Sequence, residues 1–149
     1  MSLQKQVMDK MKEAMKSKDT VALTALRALK SAFMLAKTES GATQELTEEQ
    51  EIKIIQKQVK QRKDSADLFL KQNREDLAEP ELAEAKVLEQ FLPEALSEEE
   101  IAKIVVSVIQ ETGADSMKDM GKVMGIVSKK IAGQADGKTI STIVKQKLA

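Results

Sequence analysis

The chain has 149 residues, with 24 basic and 24 acidic side chains and so no net charge, and it lacks cysteine, histidine, tryptophan and tyrosine altogether. That composition excludes a disulfide framework, a thiol nucleophile and a zinc site, and it removes the usual general base. No apolar run approaches the length of a membrane span or a signal peptide, so a cytosolic protein with no membrane partner is expected.

The neutral total conceals three differently charged stretches. Residues 1–37 carry eight basic and three acidic side chains, residues 38–112 nine and eighteen, and residues 113–149 seven and three. A polyanion would be drawn to either end and repelled by the middle. Ala, Leu, Lys, Glu and Gln dominate and only two prolines occur, which favours an all-α fold.

Leu3, Val7, Met11 and Ala14 give the first helix a buried stripe with lysines opposite. Lys18-Asp-Thr20 breaks it, and Asp19 can cap the next helix, whose seam is Ala22, Leu26, Leu29, Phe33 and Ala36. Gly41 should end that helix, and Ser40 to Leu46 read as a loop. Thr47-Glu-Glu-Gln50 is a capping box opening a helix of about 25 residues by pattern, with Ile52, Ile55, Val59, Ala66 and Phe69 on one face. Arg62 falls where that stripe calls for an apolar residue. Either its stem lies along the core while its head reaches water or a carboxylate, or it is a functional arginine.

Asn73 should end this helix. Asp76-Leu-Ala-Glu-Pro80 reopens one with proline in or near the first turn, where a missing N–H is harmless. Leu82, Ala85, Leu88 and Leu92 are its expected stripe, and Pro93 stops it. Ser97-Glu-Glu-Glu100 is another capping box, leading into Ile101, Ile104, Val105, Val108 and Ile109. The reading is therefore an N-terminal helical domain over residues 1–92 with a long antiparallel helix pair, a linker at 93–96, and a small three-helix domain over 97–149.

The last 37 residues hold five of the six glycines. Ser116-Met-Lys-Asp119 has the form of a capping box, and Met120, Met124, Val127 and Ile131 follow as a buried face. Gly121 and Gly125, one turn apart beside Ser128 and Ala132, make a second face of small residues. Each mid-helix glycine costs about 1 kcal/mol relative to alanine, so a close approach to a neighbouring helix of the same lobe is expected there. Gly133 is placed as a residue just past a helix end. Asp136-Gly137-Lys-Thr can cap a final helix carrying Ile140, Ile143, Val144 and Leu148.

The run Lys118-Asp-Met-Gly-Lys-Val-Met-Gly125, with Gly133-Gln-Ala-Asp-Gly-Lys138 and Ile143-Val-Lys145, resembles the tail domain of the GatB/YqeY family. Upstream, Leu26-Arg27, Lys60-Gln-Arg-Lys-Asp-Ser65, Arg74-Glu-Asp-Leu77 and Phe91-Leu-Pro-Glu-Ala-Leu-Ser97 extend the likeness over nearly the whole chain. It matches the small, free-standing YqeY-like form closely. Phe91 and Gln134 depart from the family patterns YLP and GRADG, and the second replaces an arginine suited to phosphate. The resemblance implies a transfer-RNA-associated accessory module, with transfer RNA and an aminoacyl-tRNA synthetase or amidotransferase as partners. It also implies a second class, a component of a carbon–nitrogen ligase with glutamine as amido-N-donor. A helical protein–protein adaptor is the third.

The residues available argue against autonomous catalysis, and no catalytic residue, cofactor or metal ligand is assigned. Ser65 lies beside Lys63 and Asp64, but helix neighbours one or two apart point in different directions. Glu98, Glu99 and Glu100 sit at a helix N-terminus, where they offset the dipole. Gly133-x-x-x-Gly137-Lys-Thr139 is one residue short of a phosphate loop and follows no strand. Lys118, Lys122, Lys129, Lys130 and Lys138 are the candidates for nucleic-acid contact, with Arg27 and Arg62 as further functional candidates. With phenylalanine as the only aromatic, base stacking is scarce and any RNA contact would be mainly to phosphates.

Overall fold

Ser2 starts the first helix: its Oγ accepts from the Lys5 N–H at 3.2 Å, and α1 runs Leu3–Ser17. The helix closes on Lys18, a left-handed residue (φ 58°) whose N–H reaches the Ala14 and Met15 carbonyls. Asp19 then caps α2 (Thr20–Glu39), its Oδ1 accepting from the Ala22 N–H at 3.0 Å. These contacts belong to a computed structural model that describes residues 2–39 and 45–149. The stop expected at Gly41 lies outside the described residues.

Thr47 and Gln50 form the reciprocal capping box of α3 (Glu48–Lys71), and Asn73, left-handed at φ 59°, lies in the turn beyond it. In that turn Arg74 donates through Nε and Nη2 to both oxygens of Asp76 at 3.0 and 2.9 Å. The helix α4 (Glu75–Glu89) begins before Asp76, so Pro80 falls in its second turn rather than its first. One N–H to carbonyl bond is lost there, and packing along α3 keeps the helix intact.

Together these four helices make one unit, Met1–Leu92, whose core joins Leu3, Val7, Met11 and Ala14 to Leu26, Leu29, Phe33, Ile55 and Leu88. The expected stripe of α4 needs one correction: Ala78, Ala85 and Leu88 are inward, and Leu82 is exposed. At 100° per residue Leu82 lies about 100° round the helix from the line through Ala85 and Leu88. Glu51, in the first turn of α3, is buried, and its Oε2 finds no hydrogen-bond partner among the described residues.

The second unit spans Pro93–Ala149. The stretch read as a linker belongs to it: the Leu96 N–H donates to the Gln134 carbonyl at 2.9 Å, and Gln134 Nε2 donates to the Glu94 carbonyl at 3.3 Å. Ser97 and Glu100 cap α5 (Glu98–Thr112), which ends on Gly113 at φ 69°. A 3₁₀ turn at Met117–Asp119 precedes α6 (Met120–Lys130), and α7 (Gly137–Leu148) closes the unit.

The ten residues of this core are Ile101, Val105, Val108, Val123, Val127, Ile131, Ile140, Ile143, Val144 and Leu148. All but Leu148 are β-branched, so these helices owe their stability to mutual packing more than to intrinsic propensity. The chain is all-α, with no strand and no helix long and apolar enough to cross a membrane among the described residues.

Candidate nucleic-acid interface

The candidate surface is the outer face of α6, and its position follows from how that helix starts. Ser116 makes no side-chain capping bond; the expected box is replaced by the 3₁₀ turn, in which Asp119 Oδ2 accepts from the Asp115 N–H at 3.2 Å. The helix then turns Val123 and Val127 fully inward, leaving Met120 and Met124 half-buried on one flank. Val123 was not on the expected stripe. It is one residue from Met124 and equally apolar, so periodicity alone could not choose between them.

This rotation settles where the glycines go. Measured from Val127, Gly121 and Gly125 lie roughly 120–160° round the helix, on the side away from the core. Both are exposed, and a Cβ built on either would meet nothing within 4 Å. The expected close approach to a helix of the same lobe is therefore not made. Gly121, Lys122, Gly125, Ser128 and Lys129 instead form one exposed surface.

Lys122 and Lys129, seven residues apart, share that surface with Gly125 between them. Lys118 is exposed in the 3₁₀ turn before α6. Lys130 lies nearer the buried edge and pairs with Glu111 of α5 at 3.3 Å. Both of these side chains are about half exposed, so the pair contributes little to stability. Lys138 is exposed in the first turn of α7, next to Asp136, whose Oδ1 accepts from the Thr139 N–H at 2.7 Å. Gly133 takes the left-handed conformation expected just past α6, at φ 82°.

The other candidates are in the first unit. Arg62 is largely buried: Nε donates to Glu84 Oε1 at 3.4 Å, and Nη1 to the Gln58 carbonyl and side chain at 3.1 and 2.8 Å. This is the packed, paired arrangement, and it ties α3 to α4. Arg27 is exposed on α2. Arg74 and Asp76 hold each other charged: the guanidinium is raised and the carboxyl lowered from their ordinary values, chiefly by their mutual hydrogen bonds. Gln134, where the family pattern has arginine, closes the 93–96 segment onto the loop after α6 through backbone and side chain alike, a contact no local sequence signal announces.

The profile of a family described as Yqey-like protein matches residues 4–148. Over 140 residues the chain is 33% identical to a protein named altered inheritance of mitochondria protein 41, mitochondrial, from Pyrenophora tritici-repentis, covering 91% of this chain and 75% of that one. The protein of the same name from Clavispora lusitaniae is 34% identical over 124 residues, covering 81% and 69%. A glutamyl-tRNA(Gln) amidotransferase subunit of Thermococcus gammatolerans is 40% identical over 73 residues. That match takes in 46% of this chain and 12% of the archaeal protein, so the similarity spans a small part of that relative.

Proposed function

The chain belongs to the YqeY-like family, and on that footing we propose that it is a non-catalytic, transfer-RNA-associated accessory module of the cytosol. The observation that carries this reading is the outer face of α6, where Lys122 and Lys129 flank exposed glycine backbone with open space above it. A sugar–phosphate strand can approach such a face closely because no side chain stands in its way. The two ammonium groups would neutralise phosphates and release counterions. Lys118 and Lys138 add positive charge within the same unit, while Lys130 is already engaged by Glu111. The partial similarity to an amidotransferase component named for glutamyl-tRNA(Gln) supports the choice of transfer RNA as the polyanion.

Phosphate contacts position a protein without reading sequence, so binding should be salt-sensitive and broad across transfer RNAs. A mobility-shift titration with total transfer RNA at two salt concentrations tests the reading. In Lys122→Ala/Lys129→Ala affinity should fall, and the salt dependence should flatten by roughly one unit of slope per lost contact. Stability should stay within about 0.5 kcal/mol of the parent, as for other solvated surface positions. An affinity and slope equal to the parent's would reduce these lysines to a solvated face.

A further inference from the structure

The first unit carries two exposed surfaces of opposite charge that the reading above does not use. One is the outer side of α1. Lys5, Met8, Lys12 and Met15 recur at spacings of three, four and three, so they form a single stripe beside the buried one. All four are exposed, Met15 at 51%. Residues 2–18 hold five lysines and two acidic residues, a net +3. Among the described residues only Lys10 of these lysines is ion-paired, with Glu13.

The other surface is the end of the α3–α4 hairpin. The core of this unit stops at Val59 on α3 and begins again at Ala85 on α4, while Ala66 and Ala78, buried at 0% and 1%, belong to neither core. Beyond that core α3 continues to Lys71, about 18 Å of helix at 1.5 Å per residue. Here the buried residues are small, Ala66 on α3 and Ala78 on α4, and Leu70 and Leu82 are about half exposed. Residues 61–84 carry four basic and seven acidic side chains, a net −3. Arg62, Lys63 and Arg74 are each already paired with a carboxylate. Glu75, Glu79 and Leu82, at spacings of four and three, make an exposed stripe of acid and leucine that answers the lysine and methionine of α1.

We propose that two copies of the chain pair reciprocally, the lysine–methionine stripe of α1 in each lying on the acidic hairpin end of the other. The second copy is favoured as occupant because both complementary faces are on the same chain and the net charge of zero leaves no overall repulsion between copies. Two such contacts related by a twofold axis close on themselves, so assembly ends at the dimer.

Sedimentation of the full chain over a concentration series tests this. The parent should convert from monomer to dimer as concentration rises, and the dimer should weaken at high salt, where screening reaches about 3 Å at 1 M. Glu75→Lys/Glu79→Lys and Lys5→Glu/Lys12→Glu should each weaken dimerisation by about tenfold or more, since each reverses two charges at both contacts. Mixing the two variants in equal amounts should restore dimer, because the mixed pair has one native contact and one with its charges exchanged. Circular dichroism checks that each variant is folded, and Leu82→Ser weakens the same contact with no change of charge. A parent that stays monomeric at low salt overturns the proposal. So does a dimer indifferent to salt and to all these substitutions, or growth past the dimer.

Discussion

Replacing Gly125 by alanine should stabilise the second unit. The residue lies in the middle of α6, its φ is not in the left-handed region, and the added methyl would meet nothing within 4 Å. No strain or overpacking therefore opposes the gain in helix propensity, which is about 1 kcal/mol for glycine to alanine at an exposed position. The size of the shift in melting temperature depends on what unfolds with α6. Unfolding entropy is about 2.1 cal/mol/K per residue, so the 57 residues from Pro93 to Ala149 would shift by about 8 °C if they melt alone. If all 149 residues melt together, the same 1 kcal/mol yields about 3 °C. Calorimetry measures the shift and, from the number of transitions, the cooperative unit. A Gly125→Ala protein less stable than the parent would refute the reasoning, because it would mean that α6 packs through its glycine face after all. If the proposed function is right, the gain in stability comes with weaker transfer-RNA binding, since the methyl occupies the space a phosphate strand would use.

Asp136→Ala removes the cap of α7 and should cost about 0.5–2 kcal/mol in denaturant unfolding, whereas Asp136→Asn should retain most of it; equal losses would point to charge instead of capping. Glu51→Met should raise stability by about 1 kcal/mol or more, because leaving a buried oxygen unpartnered costs about 1–3 kcal/mol against a helix-dipole gain of about 0.3–1; a loss on substitution would show that Glu51 holds a partner in solution. Asp76 should titrate below the ordinary aspartate range in a carbon-detected NMR titration, because Arg74 bonds its charged form. Its folded value is depressed, so its contribution to stability is present above the unfolded pKa and lost as pH falls through the folded one; in Arg74→Ala the titration should return to the ordinary range.

Much of the fold was legible because it is encoded locally. A hydroxyl or carboxylate one turn ahead of its backbone donor is a contact between near neighbours, and Asp19, Thr47, Ser97 and Asp136 each cap the helix expected of them. The buried stripe of α1 was equally plain, because Leu3, Val7, Met11 and Ala14 face lysines and have no competing apolar line. Around α6 the sequence offers two overlapping apolar lines, one through Met120 and Met124 and one through Val123 and Val127. Only the helices packed against it choose between them. That choice set the candidate surface, since with Val123 and Val127 inward Gly121 and Gly125 lie outside. Leu82 repeats the lesson on α4, where Ala78, Ala85 and Leu88 turn inward and a leucine expected on the stripe is left exposed. The sequence by itself determined where α2, α3, α5 and α7 start and how charge is shared along the chain, because those depend on residues a few positions apart. The tertiary structure alone decided which side of α4 and α6 is buried and which arginine is tied up, because those depend on partners distant in the chain, as Glu84 is from Arg62.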